Sequence, residues 1–211
     1  MWQRKISSRT WNTASNMFIE PSIGKSNPRD KKGHIEVICG SMFSGKTEEL
    51  IRRLNRALIA KQRVEIFKPF VDKRYHEFDV VSHNETAIRS TPVQFAEDII
   101  LLAGNCEVVG IDEVQFFDNR IIHVATVLAN SGKRVILAGL DMDFEGNAFE
   151  PMPQLLSIAE YVTKVHAICM KCGDLASYSF RLSTTKEKVL LGEKESYEAR
   201  CRKCFFEDNN K

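Results

Sequence analysis

The stretch GSMFSGKT, residues 40–47, decides the fold. It matches the spacing G-x-x-x-x-G-K-[S/T] at every fixed position, between an apolar run at 34–39 and a helical pattern that begins at Lys46. Glycines let the backbone curl so that its N–H groups face phosphate oxygens, and the helix start adds the positive end of its dipole. Strand, loop and helix in this order predict a site for a nucleoside triphosphate.

Side chains of the loop add to its backbone. Lys46 brings a point charge to the outer phosphates, and Thr47 offers a hydroxyl to Mg²⁺. Met42 and Phe43 each have two interpretations, packing beneath the loop or facing a neighbouring pocket, and packing is favoured for Phe43. We predict that the whole loop binds ATP, through Gly40, Ser41, Met42, Phe43, Ser44, Gly45, Lys46 and Thr47.

Short apolar runs alternate with helical stretches beyond the loop. Strands are predicted at 34–40, 63–69, 106–112 and 133–141, and helices at 46–61, 91–104 and 119–132. Repeated strand–helix units with continuous Val/Ile runs predict an α/β fold, a P-loop (RecA-like) parallel sheet flanked by helices. Ligands bind at the carboxyl ends of such strands, so Gly40, Asp112 and Asp141 should lie along one edge.

Two of the predicted helices carry specific expectations. The first places Leu50, Leu54 and Leu58 on one face, which should pack on the sheet. The second begins at the Thr-Pro pair 91–92 and ends at Gly104, because Pro suits the first turn of a helix and Gly the position after its last.

Two adjacent carboxylates end the third predicted strand. Asp112 stands where a strand-end aspartate serves Mg²⁺ in P-loop proteins, and the alternative is that it caps the next turn. Glu113 could orient a water for ATP hydrolysis or accept the proton of an attacking hydroxyl, and the pair alone leaves both roles open. We assign Asp112, Glu113, Val114 and Gln115 to the ATP site, with Thr47 and Asp112 as the magnesium ligands.

Four of the six cysteines form two C-x-x-C pairs, Cys169 with Cys172 and Cys201 with Cys204. Two such pairs favour a closed tetrahedral Zn²⁺ site of structural role, which does not need His166, and the alternative is a pair of redox dithiols. The surrounding segment is too small for a core of its own, so the metal should organise it. The chain between the pairs could fold over a bound planar substrate or form an ordinary β-hairpin.

Charge divides the chain unevenly. The net charge is +2, but residues 1–33 carry +5 and the remainder −3. A mildly acidic body argues against a nucleic-acid surface, and no apolar run approaches the roughly 20 residues that cross a bilayer. We therefore expect neither nucleic acid nor a membrane as a partner.

Four segments are predicted from composition. They are a disordered basic extension (1–33), a P-loop α/β domain (34–164), a zinc-binding domain (165–206) and a short tail (207–211). For the extension, the alternatives are a start upstream of Met17 and a transit peptide.

Several blocks in order resemble one family, the zinc-containing P-loop (type II) thymidine kinases. The blocks are EVICGSMFSGKTEELIRR (36–53), DKRY (72–75), VVSHN (80–84), IDEVQFF (111–117), VILAGLDMDF (135–144) and SYEARCRKC (196–204). The resemblance runs from about residue 34 to 204. It implies transfer of the ATP γ-phosphate, with Mg²⁺, to the 5′-hydroxyl of thymidine or deoxyuridine.

The resemblance also implies roles for residues at matching positions. Glu113 would be the base that faces the sugar hydroxyl, and Arg74 an arginine on the phosphate side. The implied thymidine pocket comprises Met42, Leu140, Phe144, Phe149, Ser179 and Tyr197, with a lasso loop whose backbone at Val189, Leu190, Leu191 and Gly192 reads the base. Residues 145–150 depart from the family pattern, reversing the local charge while keeping the aromatic Phe149.

The implied assembly is a cytoplasmic homotetramer with deoxythymidine triphosphate as feedback inhibitor. A zinc-ribbon P-loop ATPase is the alternative, and it predicts a basic nucleic-acid surface that the acidic body fits poorly. A kinase instead needs a second, aromatic-lined pocket near Glu113, which Phe144, Phe149 and Tyr197 can supply. The sequence therefore favours the kinase.

Overall fold

The computed structural model describes residues 33–70, 79–81, 87–182 and 196–209. In chain order its strands are β1 (His34–Cys39), β2 (Val64–Pro69), β3 (Asp79–Val81), β4 (Ala87–Arg89), β5 (Thr91–Val93), β6 (Val108–Ile111), β7 (Arg134–Gly139), β8 (Tyr161–Lys164), β9 (Ala167–Ile168), β10 (Leu175–Ala176), β11 (Tyr178–Arg181) and β12 (Tyr197–Arg200). Its helices are α1 (Lys46–Ile59), α2 (Asp98–Leu102), α3 (Arg120–Asn130), α4 (Met152–Ile158) and α5 (Arg202–Asn209), with a 3₁₀ turn at Val114–Phe116.

Six strands form one sheet in the order β5-β2-β6-β7-β1-β8. Every neighbouring pair is parallel, and β1 pairs with β7 along its whole length, from His34 opposite Arg134 to Cys39 opposite Gly139. The carboxyl ends of β6, β7 and β1 therefore meet at one edge, as predicted. The α/β parallel sheet is confirmed.

Helices cover both faces of the sheet. Alternate residues of β1 serve the two sides, so that Val37 packs with α3 and α4 while Ile38 packs with α1. On α1, Leu50 and Leu54 are fully buried as predicted, but the expectation for Leu58 is wrong, because Ala57 faces the sheet in that turn and Leu58 is 46% exposed.

The prediction of one helix over 91–104 is wrong in its first half. Residues 91–93 instead form β5, an edge strand that pairs in parallel with β2 alone. Pro92 is acceptable there because an edge strand has one side on which no N–H needs a partner. The helix itself is confined to α2, and the Thr-Pro pair is therefore not its cap.

A buried charge cluster joins α1 to the sheet. The Glu36 carboxylate receives Nη1 of Arg53 at 2.7 Å and Nε of Arg134 at 2.5 Å, and Arg53 also donates to Thr163 Oγ1 at 2.9 Å. Burial raises the pKa of Glu36, but hydrogen bonds from His34 and Arg134 and the charges of both arginines outweigh it and lower the pKa to about 2. The glutamate is therefore ionised in the core.

Beyond β8 the chain forms a small module of two antiparallel hairpins. β9 pairs with β10, β11 pairs with β12, and α5 closes the module. Helix α5 continues to Asn209, past the domain end predicted at 206, whereas 1–32 of the predicted extension lie outside the described residues. Within the described ranges, no helix is long and apolar enough to cross a membrane.

Candidate active site and metal centre

The loop 40–47 connects the carboxyl end of β1, a strand that lies between β7 and β8, to the start of α1. Gly40 is required by space, because a Cβ there would lie 2.3 Å from the carbonyl oxygen of Val165. Gly45 has φ +85°, a left-handed conformation that glycine adopts without strain, and its carbonyl accepts the N–H of Glu49 at 3.0 Å. Both fixed glycines of the motif thus have a structural reason.

One carbonyl organises the cationic end of the loop. The oxygen of Ser41 accepts Lys46 Nζ at 2.8 Å and Ser44 Oγ at 2.7 Å. The ammonium group therefore lies over the loop, where the outer phosphates of a nucleotide would be held.

Asp112 lies at the end of β6 and faces the loop. Its carboxylate accepts Thr47 Oγ1 at 3.1 Å and the N–H of Glu113 at 3.0 Å. Burial and then the charge of Glu113 raise the pKa of Asp112 to about 7. A buried carboxylate next to a hydroxyl is a pair of oxygen ligands that suits Mg²⁺, whose charge would favour the ionised form.

Glu113 has a strained backbone. Its φ is +50° and its ψ +44°, a left-handed conformation that costs a residue other than glycine roughly 1–3 kcal/mol. The 3₁₀ turn then begins, with Phe116 N–H donating to the Glu113 carbonyl at 3.1 Å. Such strain at a polar strand end is typical of a functional residue.

Gln115 occupies the space between Glu113 and the end of β7. Its Nε2 donates to Glu113 Oε2, and its Oε1 accepts the N–H of Leu140 at 3.0 Å. Gln115 is 3% exposed and Val114 is fully buried. Their assignment to the ATP site stays a prediction.

Asp141 is brought to the same edge, as predicted. Its Oδ2 accepts Lys164 Nζ at 2.6 Å. Because β7 and β8 flank β1, this ion pair crosses the end of β1, where burial and then the charge of Asp141 raise the pKa of Cys39 to about 11. The buried thiol is therefore un-ionised at neutral pH.

The segment 141–149 folds into a tight loop beside the carboxylates. The Asp143 Oδ1 accepts the N–H groups of Glu145 and Asn147 at 3.0 and 2.9 Å. The ring of Phe149 meets that of Phe116 edge to face, with 6.5 Å between centroids. Hydrogen bonds within the segment therefore close this loop, which contains most of the residues 145–150 that depart from the family pattern.

Arg181, which sequence reasoning missed, joins two of the predicted pocket residues. Its guanidinium lies 3.6 Å from the ring centroid of Phe144 and donates Nη2 to the hydroxyl of Tyr197 at 2.6 Å. No spacing in the sequence links these three positions. The position of Arg181, two residues after Ser179 on one strand face, was the one available signal.

The phosphate loop touches the C-terminal module directly. The N–H of Met42 donates to Ser179 Oγ at 3.0 Å. Phe43, at φ +63°, packs against the apolar and cysteine cluster of the module. The favoured interpretation of Phe43 as a packing residue fits this contact. Five further predicted site residues, Arg74, Val189, Leu190, Leu191 and Gly192, lie outside the described residues.

The four predicted cysteines converge in that module. The sulfur atoms of Cys169, Cys172, Cys201 and Cys204 all lie within 4.8 Å of one another. Tetrahedral Zn²⁺ with Zn–S bonds of about 2.3 Å separates its sulfurs by roughly 3.8 Å, so the set fits structural zinc. His166 instead bonds Ser177 Oγ at 3.1 Å.

The electrostatic environment of the four sulfurs also favours a bound cation. Burial raises the pKa of the Cys169 thiol, but the N–H groups of Cys201, Cys172 and Lys171 outweigh it and lower the pKa to about 6. Burial and the neighbouring sulfurs raise the pKa of Cys204 to about 12. Four thiolates cannot share this space without a positive charge, which a metal supplies.

A parallel sheet, a phosphate loop beside a strand-end aspartate and a cysteine cluster define a P-loop nucleotide-binding protein with a zinc ribbon. A sequence model of one family, thymidine kinase, matches residues 33–205. The chain belongs to the thymidine kinase family.

Individual relatives agree with the family. The chain is 63% identical over 173 residues to a thymidine kinase of Rhodothermus sp., covering 82% of this chain and 81% of that protein. It is 60% identical over 190 residues to one of Bacteroides thetaiotaomicron (90% and 94%) and 59% identical over 175 residues to one of Porphyromonas gingivalis (83% and 86%).

Proposed function

We propose that this protein transfers the γ-phosphate of ATP to the 5′-hydroxyl of thymidine, and of deoxyuridine, in nucleotide salvage. One observation carries the proposal. A chain of contacts runs from Thr47 through Asp112 and Glu113 to Gln115 and then to the N–H of Leu140. Asp112 therefore faces the phosphate loop, and Glu113 stands between Asp112 and a loop bearing aromatic residues.

On the donor side, the loop 40–47 would hold the ATP phosphates through its N–H groups and Lys46. Thr47 and Asp112 would hold Mg²⁺, which neutralises charge on the transferred phosphoryl group. Because phosphoryl transfer depends mainly on positioning and charge, a loop that packs closely on Val165 and is hydrogen bonded to Ser179 suits this task.

On the acceptor side, the nucleoside would lie against Leu140, Phe149 and Met42, with Phe144 and Tyr197 braced by Arg181. Aromatic rings bind planar bases by stacking, worth roughly 1–3 kcal/mol per base. Ser179 would lie near the thymine methyl, and Arg74 and the backbone of 189–192 complete the proposed pocket.

Glu113 would act as the general base. An ionised carboxylate at the end of β6 can accept the proton of the 5′-hydroxyl as the oxygen attacks the γ-phosphorus, which is worth typically 10²–10⁴-fold. The ATPase alternative assigns the same carboxylate to a water. The aromatic residues and the family membership favour the nucleoside.

The deciding experiment measures ADP and deoxythymidine monophosphate with and without thymidine. We expect ADP to form only with thymidine and in equal amount to the monophosphate. Glu113→Gln should lower kcat by at least about 10²-fold with ATP affinity nearly unchanged, and the surface variant Glu207→Gln should match the wild type. ADP release at full rate without nucleoside would establish the ATPase instead, and lost ATP affinity in Glu113→Gln would put Glu113 in the metal shell.

Assembly, regulation and location belong to the same proposal. Val162 on the edge strand β8 is 50% exposed, and such an edge suits a contact between copies in a homotetramer. Deoxythymidine triphosphate would inhibit by filling the nucleoside pocket and the phosphate loop together. A cytoplasmic location fits the cysteine cluster, because a reducing compartment keeps thiolates available for zinc.

A further inference from the structure

We propose that Gln115 is a positioning residue that fixes the Glu113 carboxylate against the end of β7, so that base and acceptor pocket move as one unit. The inference rests on the proposed function and deepens it. The sequence placed Gln115 at the ATP, but its side chain is 3% exposed and turned toward β7. A buried amide whose hydrogen-bonding groups are occupied by protein atoms positions those atoms rather than binding the nucleotide.

The two partners of the amide determine its orientation. A peptide N–H can only donate and an ionised carboxylate can only accept. Therefore Oε1 must face the N–H of Leu140, at 3.0 Å, and Nε2 must face Oε2 of Glu113. A reversed amide would lose both hydrogen bonds, which leaves one orientation for Gln115 and one for the carboxylate that it holds.

Gly139 provides the space for this arrangement. A Cβ at Gly139 would lie 2.9 Å from Oε1 of Gln115 and 2.9 Å from the sulfur of Met152. The final residue of β7 therefore allows the amide to cross the strand and reach Leu140. A glycine here is explained by the close approach of a side chain, since its conformation requires nothing special.

The backbone of Glu113 gives its side chain an unusual direction. Its left-handed conformation turns the side chain away from the direction that an extended strand would give. A misplacement of a catalytic group by about 1 Å can cost on the order of 10²-fold in rate. The hydrogen bond from Gln115 selects one rotamer.

The link to Leu140 adds a second consequence. Leu140 is a proposed wall of the nucleoside pocket, so the same amide fastens the base to the backbone beside the acceptor. We infer that Gln115 keeps the distance from the Glu113 oxygen to the sugar hydroxyl constant as the nucleoside binds.

The test is a double-mutant cycle of Gln115→Met with Glu113→Gln, measured as single-turnover formation of deoxythymidine monophosphate. Methionine has nearly the same length but cannot form either hydrogen bond. We expect Gln115→Met alone to lower kcat by about 10- to 100-fold, with the KM values for ATP and thymidine within about 2-fold. In the Glu113→Gln background the same change should cost less than about 2-fold, because there is no longer a base to position.

Two controls separate positioning from a loss of folding. Thr163→Val removes the acceptor of a hydrogen bond from Arg53, outside the contacts of Glu113 and Gln115, and should lower stability without changing kcat. Gln115→Glu keeps the acceptor for Leu140 but faces Glu113 with a second carboxylate, so it should lower kcat even if Gln115→Met folds poorly.

A crystal structure of each Gln115 variant provides a readout independent of turnover, and we expect the Glu113 carboxylate to have left its position. The inference would be overturned if the losses of the two single variants multiplied in the double mutant, or if Gln115→Met left kcat unchanged. A raised KM for ATP alone, or a Glu113 carboxylate that has not moved in the crystal structure, would also overturn it. Failure of the wild-type protein to make deoxythymidine monophosphate would instead overturn the proposed function, with the crystallographic comparison still deciding the role of Gln115.

Discussion

The strand-end edge of the sheet and the cysteine module both hold side chains of the site, but different forces hold them. At the edge, β1 lies between two apolar layers, and Val37 and Ile38 are fully buried. In the module, the cluster around the sulfurs consists of alanines and cysteines, with Tyr178 and Phe205 buried beside it, and the opposed pair Ile168 and Leu175 is 60% and 62% exposed. Apolar burial of roughly 25 cal/mol per Å² can stabilise the sheet, whereas the module depends on its metal.

The same difference divides the residues of the proposed site into those held by the apolar sheet and those whose position depends on the metal. Asp112, Glu113 and Gln115 directly follow β6 of the sheet, while Ser179, Arg181 and Tyr197 belong to the module. Because Met42 bonds Ser179 and Phe43 packs on the module, the phosphate loop contacts both regions, as the loop 141–149 does through Phe144 and Arg181. Changes in either region should therefore be felt at the loop, with different effects on the rest of the fold.

The largest effect is expected from the metal centre. Cys201→Ser should abolish tight zinc binding, whose free energy in structural sites is about 10–16 kcal/mol, and unfold the module while the sheet persists. Hydrogen exchange should show lost protection in β9–β12 and retained protection in β1 and β7, with zinc content measured in parallel. Cys106→Ser, outside the cluster, should retain the metal. Equal loss of protection in β1 would mean that sheet and module fold as a single unit.

The next effect concerns the buried charges of the sheet. Glu36→Gln should cost about 3–5 kcal/mol in urea unfolding, because it removes the fully buried anion that faces the guanidinium groups of Arg53 and Arg134. Since the folded pKa of Glu36 is about 2, its contribution is present above about pH 4.5 and is lost as the pH falls toward 2. The variant should lack that acid slope.

The partly exposed pair in the module provides the matched control for Glu36. Glu198→Gln removes an ion pair with Arg200 and should cost less than about 1 kcal/mol. Similar losses in the two variants would contradict the distinction between a charge cluster within the sheet and surface pairs on the module.

A gain in stability is expected at Asp112, the carboxylate that we propose as a magnesium ligand. Asp112→Asn should stabilise the metal-free protein at pH 8 by about 1–3 kcal/mol and lower kcat by at least about 10²-fold, because it replaces a buried charge that serves function. The pKa of Asp112 is raised to about 7, so the folded wild type holds a proton between about pH 4 and 7 that the unfolded chain has released. Wild-type stability therefore falls as the pH rises through that window.

Thermal unfolding at pH 5 and pH 8 would check the prediction for Asp112. The advantage of Asp112→Asn should grow between the two values, and added Mg²⁺ should stabilise only the wild type. If Asp112→Asn were less stable than the wild type at pH 8 without Mg²⁺, burial of the ionised Asp112 carboxylate would not be destabilising.

The smallest effect is expected where the two regions meet. Ser179→Ala should cost about 0.5–1.5 kcal/mol, the net value of one hydrogen bond, and weaken ATP binding by several-fold as the loop loses its anchor at Met42. Calorimetric titration with ATP measures the second effect. Ser177→Ala, two residues earlier and bonded to His166 on the surface, is the control. Unchanged ATP affinity in Ser179→Ala would mean that the loop is held by the sheet alone.

Local sequence patterns predicted the parts that local chemistry defines. The phosphate loop, the strand ending in Asp112 and the four cysteines each lie within a few neighbouring positions, and the geometry brings them together as expected. The helix predicted over 91–104 failed because its first residues pair with β2, a partner more than twenty positions earlier in the chain. Apolar residues near a proline suit either element, and only the neighbouring strand decides between them.

The amino-acid sequence by itself determined the nucleotide loop, the metal ligands and the parallel sheet, because periodicity and fixed spacing encode them. Tertiary structure alone decided the contact that we propose to hold Glu113, since Gln115 and Leu140 are 25 residues apart and meet only where β6 and β7 end side by side. The same holds for Arg181 between Phe144 and Tyr197. Contacts between distant positions depend on the register of packed elements, and no local pattern carries that information.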